Sequence, residues 1–169
     1  MAEQFLTLMA VLDDESQERM SGWYKTLQDA GFAGTQTPGL PYHISLASYP
    51  TDNERMALEL TEKAAEKFTP VPVHISHIGI FPGGRVLFGA PERDPALEAL
   101  HDFCETDPSP ERPWTPHATI LIDDPGNVCA ALPHLVKYFQ PFVGRITRLH
   151  LCAFWPTREI ADIGLRSDM

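Results

Sequence analysis

Two short stretches decide how this chain is read: Pro41-Tyr42-His43-Ile44-Ser45-Leu46 and, 74 residues further on, Thr115-Pro116-His117-Ala118-Thr119-Ile120. Each enters an apolar run from a proline-containing loop, as a strand does. Successive strand residues alternate faces, so His43 and Ser45 project together while Ile44 and Leu46 anchor the opposite side. His117 and Thr119 stand in the same relation to Ala118 and Ile120. Two strands of this kind facing one volume bring two imidazoles and two hydroxyls around a space the size of one phosphate.

The sequence around these stretches is built of alternating strands and helices. Phe5 to Leu12 reads as a buried strand, followed by a helix that Asp14 can cap, with Gln17 three residues on. Met20, Trp23, Tyr24 and Leu27 recur at helical spacing in that helix, and Gly31 stops it. Thr51-x-x-Glu54 has the form of a capping box and opens a second helix with Met56, Leu60, Ala64 and Phe68 along one side. Val71 to Phe81 and Arg85 to Ala90 flank Pro82-Gly83-Gly84, a hairpin signal. Asp94-Pro95 starts a third helix with Leu97, Leu100 and Cys104 inward. A fourth covers residues 127–139, where Pro133 must start or kink it. Phe142 to Trp155 and Ile160 to Leu165 form a closing hairpin turned at Pro156-Thr157. Hairpins mixed with helices in this order mean α+β architecture and not a doubly wound parallel sheet.

Composition sets outer bounds. With 169 residues, 43% of them apolar and 21% charged, the chain is expected to fold as one domain over 1–169 without metal or disulfide staples. Its formal charge of -10 sets its mean field against long polyanions, so duplex DNA is excluded as a partner. Cys104, Cys129 and Cys152 are odd in number and widely spaced, which fits a reducing compartment and a cytoplasmic location. No apolar run reaches membrane-spanning length, so no membrane association is expected.

Among seven histidines, His-x-Ser/Thr is a weak signal by itself: about one such tripeptide is expected by chance, and three occur, at His43, His74 and His117. Context separates them. His43 and His117 share a preceding proline and a following aliphatic residue, whereas His74-Ile75-Ser76 is followed by His77 and reads as an ordinary strand. His77, His101, His134 and His150 show no metal-ligand spacing, so no metal site is expected. Pro82-Gly83-Gly84-Arg85 lacks the phosphate-loop pattern and reads as a turn.

The paired motif resembles that of the 2H phosphoesterase superfamily, which includes 2′-5′ RNA ligases and cyclic nucleotide phosphodiesterases. The resemblance takes in the Phe5 to Leu12 strand, both His-x-Ser/Thr strands, the Gly79-Ile80-Phe81-Pro82 and Val86-Leu87-Phe88 hairpin and the C-terminal hairpin. It implies a bilobal α+β fold of two pseudo-symmetric halves of antiparallel sheet with outer helices and a central cleft. It also implies His43 and His117 as the catalytic pair, Ser45 and Thr119 as phosphate-binding hydroxyls, and no cofactor. Ser45 stands where threonine is commoner in the family, and the hydroxyl is kept.

The chemistry of the motif agrees. Hydrolysing a 2′,3′-cyclic phosphate needs a base for water and an acid for the departing ribose oxygen, on opposite sides of phosphorus. Two imidazoles supply both near neutral pH, and the hydroxyls can donate to the non-bridging oxygens. The expected substrate is a small nucleotide cyclic phosphate or a short RNA end. A non-catalytic nucleotide-binding module and a 2′-5′ RNA ligase are the alternatives. Trp114, Tyr42, Phe81 and Trp155 could each stack on a base; packing is the first reading for all four, and Tyr42 and Trp114 are the better placed for a substrate, being next to the motifs. Arg112, Arg145, Arg148 and Arg158 are the cations of the C-terminal half available to an anion.

Overall fold

A computed structural model describes residues 2–167. Its elements are β1 (Phe5–Leu12), α1 (Asp14–Asp29), β2 (His43–Tyr49), α2 (Glu54–Lys67), β3 (Val71–Ile80), β4 (Val86–Pro91), α3 (Pro95–Cys104), β5 (Ala118–Ile122), α4 (Pro125–Tyr138), β6 (Phe142–Phe154) and β7 (Arg158–Gly164). This is the α+β order expected from the sequence.

All seven strands pair antiparallel, in the order β1-β2-β5-β4-β3-β6-β7, with a further β1–β6 pairing that closes six of them into a ring. The 13 residues of β6 make the closure. Residues 142–146 of β6 run along β3, and residues 146–154 run along β1, so one strand belongs to both halves. The halves meet again at β2 and β5, through the single pair Ile44–Ala118. The two motif strands are therefore neighbours in one continuous sheet.

Alternation fixes what each strand buries. Leu6, Leu8, Ala10 and Leu12 of β1 pack into the main core, joined by Ile44, Leu46, Ala118 and Ile120 from the motif strands. That core faces the helices, with α1 beside α4 and α2 beside α3. The other face of β1 carries Met9, which packs with Cys152 and Phe154 of β6 as a separate small cluster backed by Phe5 and Leu40.

Three local expectations are corrected. The cap of α1 is Asp13, not Asp14: Asp13 sits in extended backbone and its carboxylate accepts from the Ser16 amide at 3.0 Å. The capping box at Thr51 and Glu54 does not form. Residues Thr51–Asn53 make a 3₁₀ turn without a side-chain cap, and the Glu54 carboxylate instead takes the Arg158 guanidinium of β7. The buried side of α2 is Ala57, Thr61, Ala64 and Ala65, while Met56 and Leu60 sit at its margin. Small residues let the helix lie close to the sheet, and the buried Thr61 hydroxyl is satisfied by the Ala57 carbonyl at 2.7 Å.

Other local signals hold. Asp94 caps α3 through the Ala96 and Leu97 amides. Gly83 and Gly84 both adopt positive φ in the β3–β4 turn, a conformation that costs side-chain-bearing residues more. The fourth helix differs from the expected 127–139: it runs Pro125–Tyr138, with Pro125 in its first turn, and Pro133 lies inside it and does not start it.

Candidate active site

His43 opens β2, and its position is set from outside the strand. The Gln17 side chain on α1 donates to the carbonyls of Leu12 and Tyr42, at 3.0 and 2.7 Å, and accepts from the Tyr42 amide at 2.8 Å. This clamp holds the residue before His43 against the first turn of α1. Gln17 thus does not serve the helix cap. Sequence carried no sign of the clamp, because it joins residues 25 apart across the loop.

Both imidazoles are then oriented by the same device. His43 Nδ1 lies 2.7 Å from the Pro41 carbonyl oxygen, and His117 Nδ1 lies 2.9 Å from that of Thr115. A carbonyl only accepts, so each Nδ1 carries the proton and each Nε2 is left with a lone pair. The bond reaches back two residues in both motifs, across the proline-containing turn that made the stretches alike. Proline restricts its own backbone and disfavours helix in the residue before it, which keeps these turns extended.

The Ile44–Ala118 pair lies at the centre of the constellation. In antiparallel strands joined there, His43 flanks the pair on the side of Thr119 and Ser45 on the side of His117. Each imidazole thus has the other strand's hydroxyl as its neighbour, in a pseudo-two-fold arrangement. The Ser45 and Thr119 hydroxyls face a cavity of about 550 Å³ that also takes in His43.

His117 is not among the residues that line this cavity; its ring stands edge-on to Phe81, centroids 4.6 Å apart, and 5.5 Å from Phe88. Phe88 reaches that position because its neighbour on β3 is Gly79. A Cβ on Gly79 would collide with the Phe88 ring. Gly79, Phe81 and Phe88 are thus part of how His117 is held.

Burial pushes the pKa of both histidines below the usual 6.5, against the opposing pull of their carbonyl partners. Repulsion from His117 and then His150 lowers His43 further. Both imidazoles favour the neutral form until something anionic arrives.

Of the two residues expected to stack on a base, the structure brings one to the cavity. Tyr42 lines it, half-buried, and burial beside Tyr24 pushes its phenol up to about 12. Trp114 is a correction: it does not line the cavity, since its ring stacks on His101 at 4.0 Å and its indole donates to the Ser45 carbonyl at 2.9 Å. It supports the backbone of β2. Trp155, ranked from sequence behind Tyr42 and Trp114 for stacking, lines the cavity and is 49% exposed. The arginines do not reach the cavity either. Arg148 pairs with Asp162 at 2.6 Å, and Arg158 with Glu3 and Glu54. Among the described residues, no three His, Cys, Asp or Glu side chains are grouped to hold a metal.

Comparison with known proteins gives this geometry a context. A family model described as the 2′-5′ RNA ligase superfamily matches residues 12–154. Among solved structures, E. coli LigT complexed with 3′-AMP is similar at 18% identity and a TM-score of 0.65, over 97% of this chain and 99% of that one. The protein TT0787 of Thermus thermophilus is similar at 16% identity and a TM-score of 0.65, over 98% of this chain and 100% of that one. A structure titled only as a phosphoesterase gives 19% identity and 0.64, over 96% and 98%. No curated protein matches the chain.

Proposed function

This chain belongs to the 2′-5′ RNA ligase superfamily, and from that premise we propose that it is a metal-independent phosphodiesterase acting on a 2′,3′-cyclic phosphate or a related phosphodiester of a nucleotide or short RNA end. The observation that carries the reading is the matched pair of imidazoles, each with Nδ1–H fixed on a carbonyl two residues back and Nε2 free for proton transfer. The likeness to LigT complexed with 3′-AMP supports a nucleotide as ligand.

In this mechanism one Nε2 takes a proton from water, whose oxygen bonds to phosphorus. The bond from phosphorus to one ribose oxygen breaks, and the second histidine, protonated, delivers its proton to that oxygen. The product is an open phosphomonoester. Charge develops on the non-bridging oxygens, where the Ser45 and Thr119 hydroxyls donate. Such donors count most where water is excluded, and both sit on the cavity wall. Tyr42, still a phenol at neutral pH, adds a further donor.

Turnover of nucleoside 2′,3′-cyclic phosphates tests the reading. We expect His43→Ala and His117→Ala each to lower kcat by about 10²- to 10⁴-fold while circular dichroism and Tm stay near wild type. Both variants retaining wild-type rates on a verified substrate would falsify the mechanism. The family description also names ligation, in which a 5′-hydroxyl takes the place of water, its oxygen bonding to phosphorus as a ribose oxygen leaves, with the same two proton transfers. Joining of oligonucleotides ending in 2′,3′-cyclic phosphate and 5′-hydroxyl, measured beside hydrolysis, decides which nucleophile is used. Nucleotide binding by calorimetry without turnover of any phosphodiester would instead identify a binding module.

A further inference from the structure

The two halves of the site repeat the same devices and differ at one position. Each imidazole bonds the carbonyl two residues back, and in each motif strand the ladder register slips by one residue immediately after the hydroxyl. Met9 faces Ser45 while Leu8 faces Ala47, and Phe88 faces Thr119 while Leu87 faces Leu121. Leu46 and Ile120 are the extra residues. A bulge of this kind disrupts the ladder locally and bends the strand, so the hydroxyl just before it is held less firmly than one in a regular ladder. The difference lies three residues before each histidine, at Leu40 in the first half and Trp114 in the second. Leu40 has no side-chain donor and lines the cavity. Trp114 reaches across to the other half and donates its indole N–H to the Ser45 carbonyl at 2.9 Å.

That bond falls where β2 has least backbone support. The strand shares the single pair Ile44–Ala118 with β5, so it leaves that ladder at Ser45, next to the bulge in its pairing with β1. The indole takes the place of the missing partner. It is itself held: residues 105–117 form no helix or strand, yet Trp114 within them stacks on His101 of α3, with ring planes 8° apart and centroids at 4.0 Å. The far end of β2 is tied to the same helix, because the Tyr49 hydroxyl donates to the Cys104 carbonyl at 2.6 Å. Strand, helix and indole close into a frame around Ser45.

We infer that Trp114 is a positioning residue for the reaction: its N–H fixes the Ser45 carbonyl and, with it, the direction in which the Ser45 hydroxyl meets the phosphate. This rests on the reading above for what Ser45 does. Carbonyl and side chain share one Cα, so a turn of the peptide unit re-aims the hydroxyl, and a misplacement of about 1 Å can cost about 10²-fold in rate. Thr119 lies outside the frame, so the effect belongs to one of the two hydroxyls.

A double-mutant cycle separates this role from packing alone. Replacement of Trp114 by benzothienylalanine puts sulfur where the N–H stands and keeps the shape of the ring and its stack; Trp114→Phe is the second variant. Each is measured for turnover of a nucleoside 2′,3′-cyclic phosphate by itself, beside Ser45→Ala and beside Thr119→Ala. We expect kcat to fall about tenfold in the first case and by the same factor beside Thr119→Ala. Beside Ser45→Ala, where no hydroxyl is left to aim, the further fall should stay under about twofold. An equal loss in all three backgrounds, or no loss in the first, overturns the inference.

The same cycle read in the calorimetric Kd of 3′-AMP needs no turnover. Coupling between Trp114 and Ser45 there, in a protein that turns over no phosphodiester, overturns the enzymatic reading alone. Turnover without coupling in either measurement overturns the positioning role alone, and a protein that neither turns over nor binds these ligands overturns both.

Discussion

At the scale of single residues, the site depends on proton positions as much as on atom positions. Fixing Nδ1–H on a backbone carbonyl leaves each histidine one nitrogen with a free lone pair, and burial lowers the affinity of that nitrogen for a proton. A reaction that needs one imidazole neutral and one charged has a bell-shaped profile centred between the two macroscopic pKa values of the pair. Both are depressed, so kcat/KM is expected to peak below pH 6.5; a measured optimum above about pH 7 would contradict the burial argument. Removing one hydroxyl tests a different contribution. Ser45→Ala or Thr119→Ala is expected to lower kcat by about 10²-fold or more with little change in Tm, read by steady-state kinetics and thermal melts. Four of these residues were legible in the sequence, because strand alternation alone puts i and i+2 on one face. Tyr42 was legible only by proximity, and the same reasoning misplaced Trp114. Nothing local says that the indole turns to the Ser45 carbonyl and stacks on His101, a residue of α3.

Elements position these residues through contacts far apart in sequence. The β3–β4 hairpin supplies Phe81 and Phe88, and it brings Phe88 over β3 only where a side chain is missing. Gly79→Ala inserts a Cβ into the Phe88 ring, and overpacking of this kind costs about 1–3 kcal/mol. Because Phe88 touches His117, kcat should fall as well. A urea titration measures the first effect and turnover at saturating substrate the second. If turnover survives while stability drops, the hairpin does not orient His117. The sequence marked the hairpin well, through Pro82-Gly83-Gly84, but assigned Gly79 no role beyond strand membership. Helix starts show the same limit. Asp94 caps as its spacing says, whereas Glu54 has the spacing of a capping-box residue and is drawn instead to Arg158, 104 residues away. An ion pair formed by the last hairpin outcompetes the local bond.

Across the whole molecule, the ring of strands makes the site and the core share a sheet. The face carrying Ile44, Leu46, Ala118 and Ile120 holds the structure together, and the opposite face of the same strands turns His43, Ser45 and Thr119 to the cavity where the proposed reaction takes place. Stability is therefore linked to the protonation of the site. In the unfolded chain both histidines titrate near 6.5, and in the folded protein lower, so between those values the unfolded state binds more protons. Stability is thus highest above pH 6.5 from this source and is lost as pH falls through the window toward the folded values. Urea midpoints measured from about pH 7.5 to about pH 5.5 should decline, and the double substitution His43→Ala, His117→Ala should flatten that decline. An unchanged slope would mean the imidazoles are not buried in solution.

The sequence by itself determined the α+β order, the strand faces and the four motif side chains, because periodicity and turn chemistry act over a few residues. Tertiary structure alone decided the ring closed by β6, the meeting of the motif strands at Ile44 and Ala118, the Gln17 clamp and the bond from Trp114 to the Ser45 carbonyl. Those features depend on which distant surfaces bury each other, and that is settled by the packing of the whole chain.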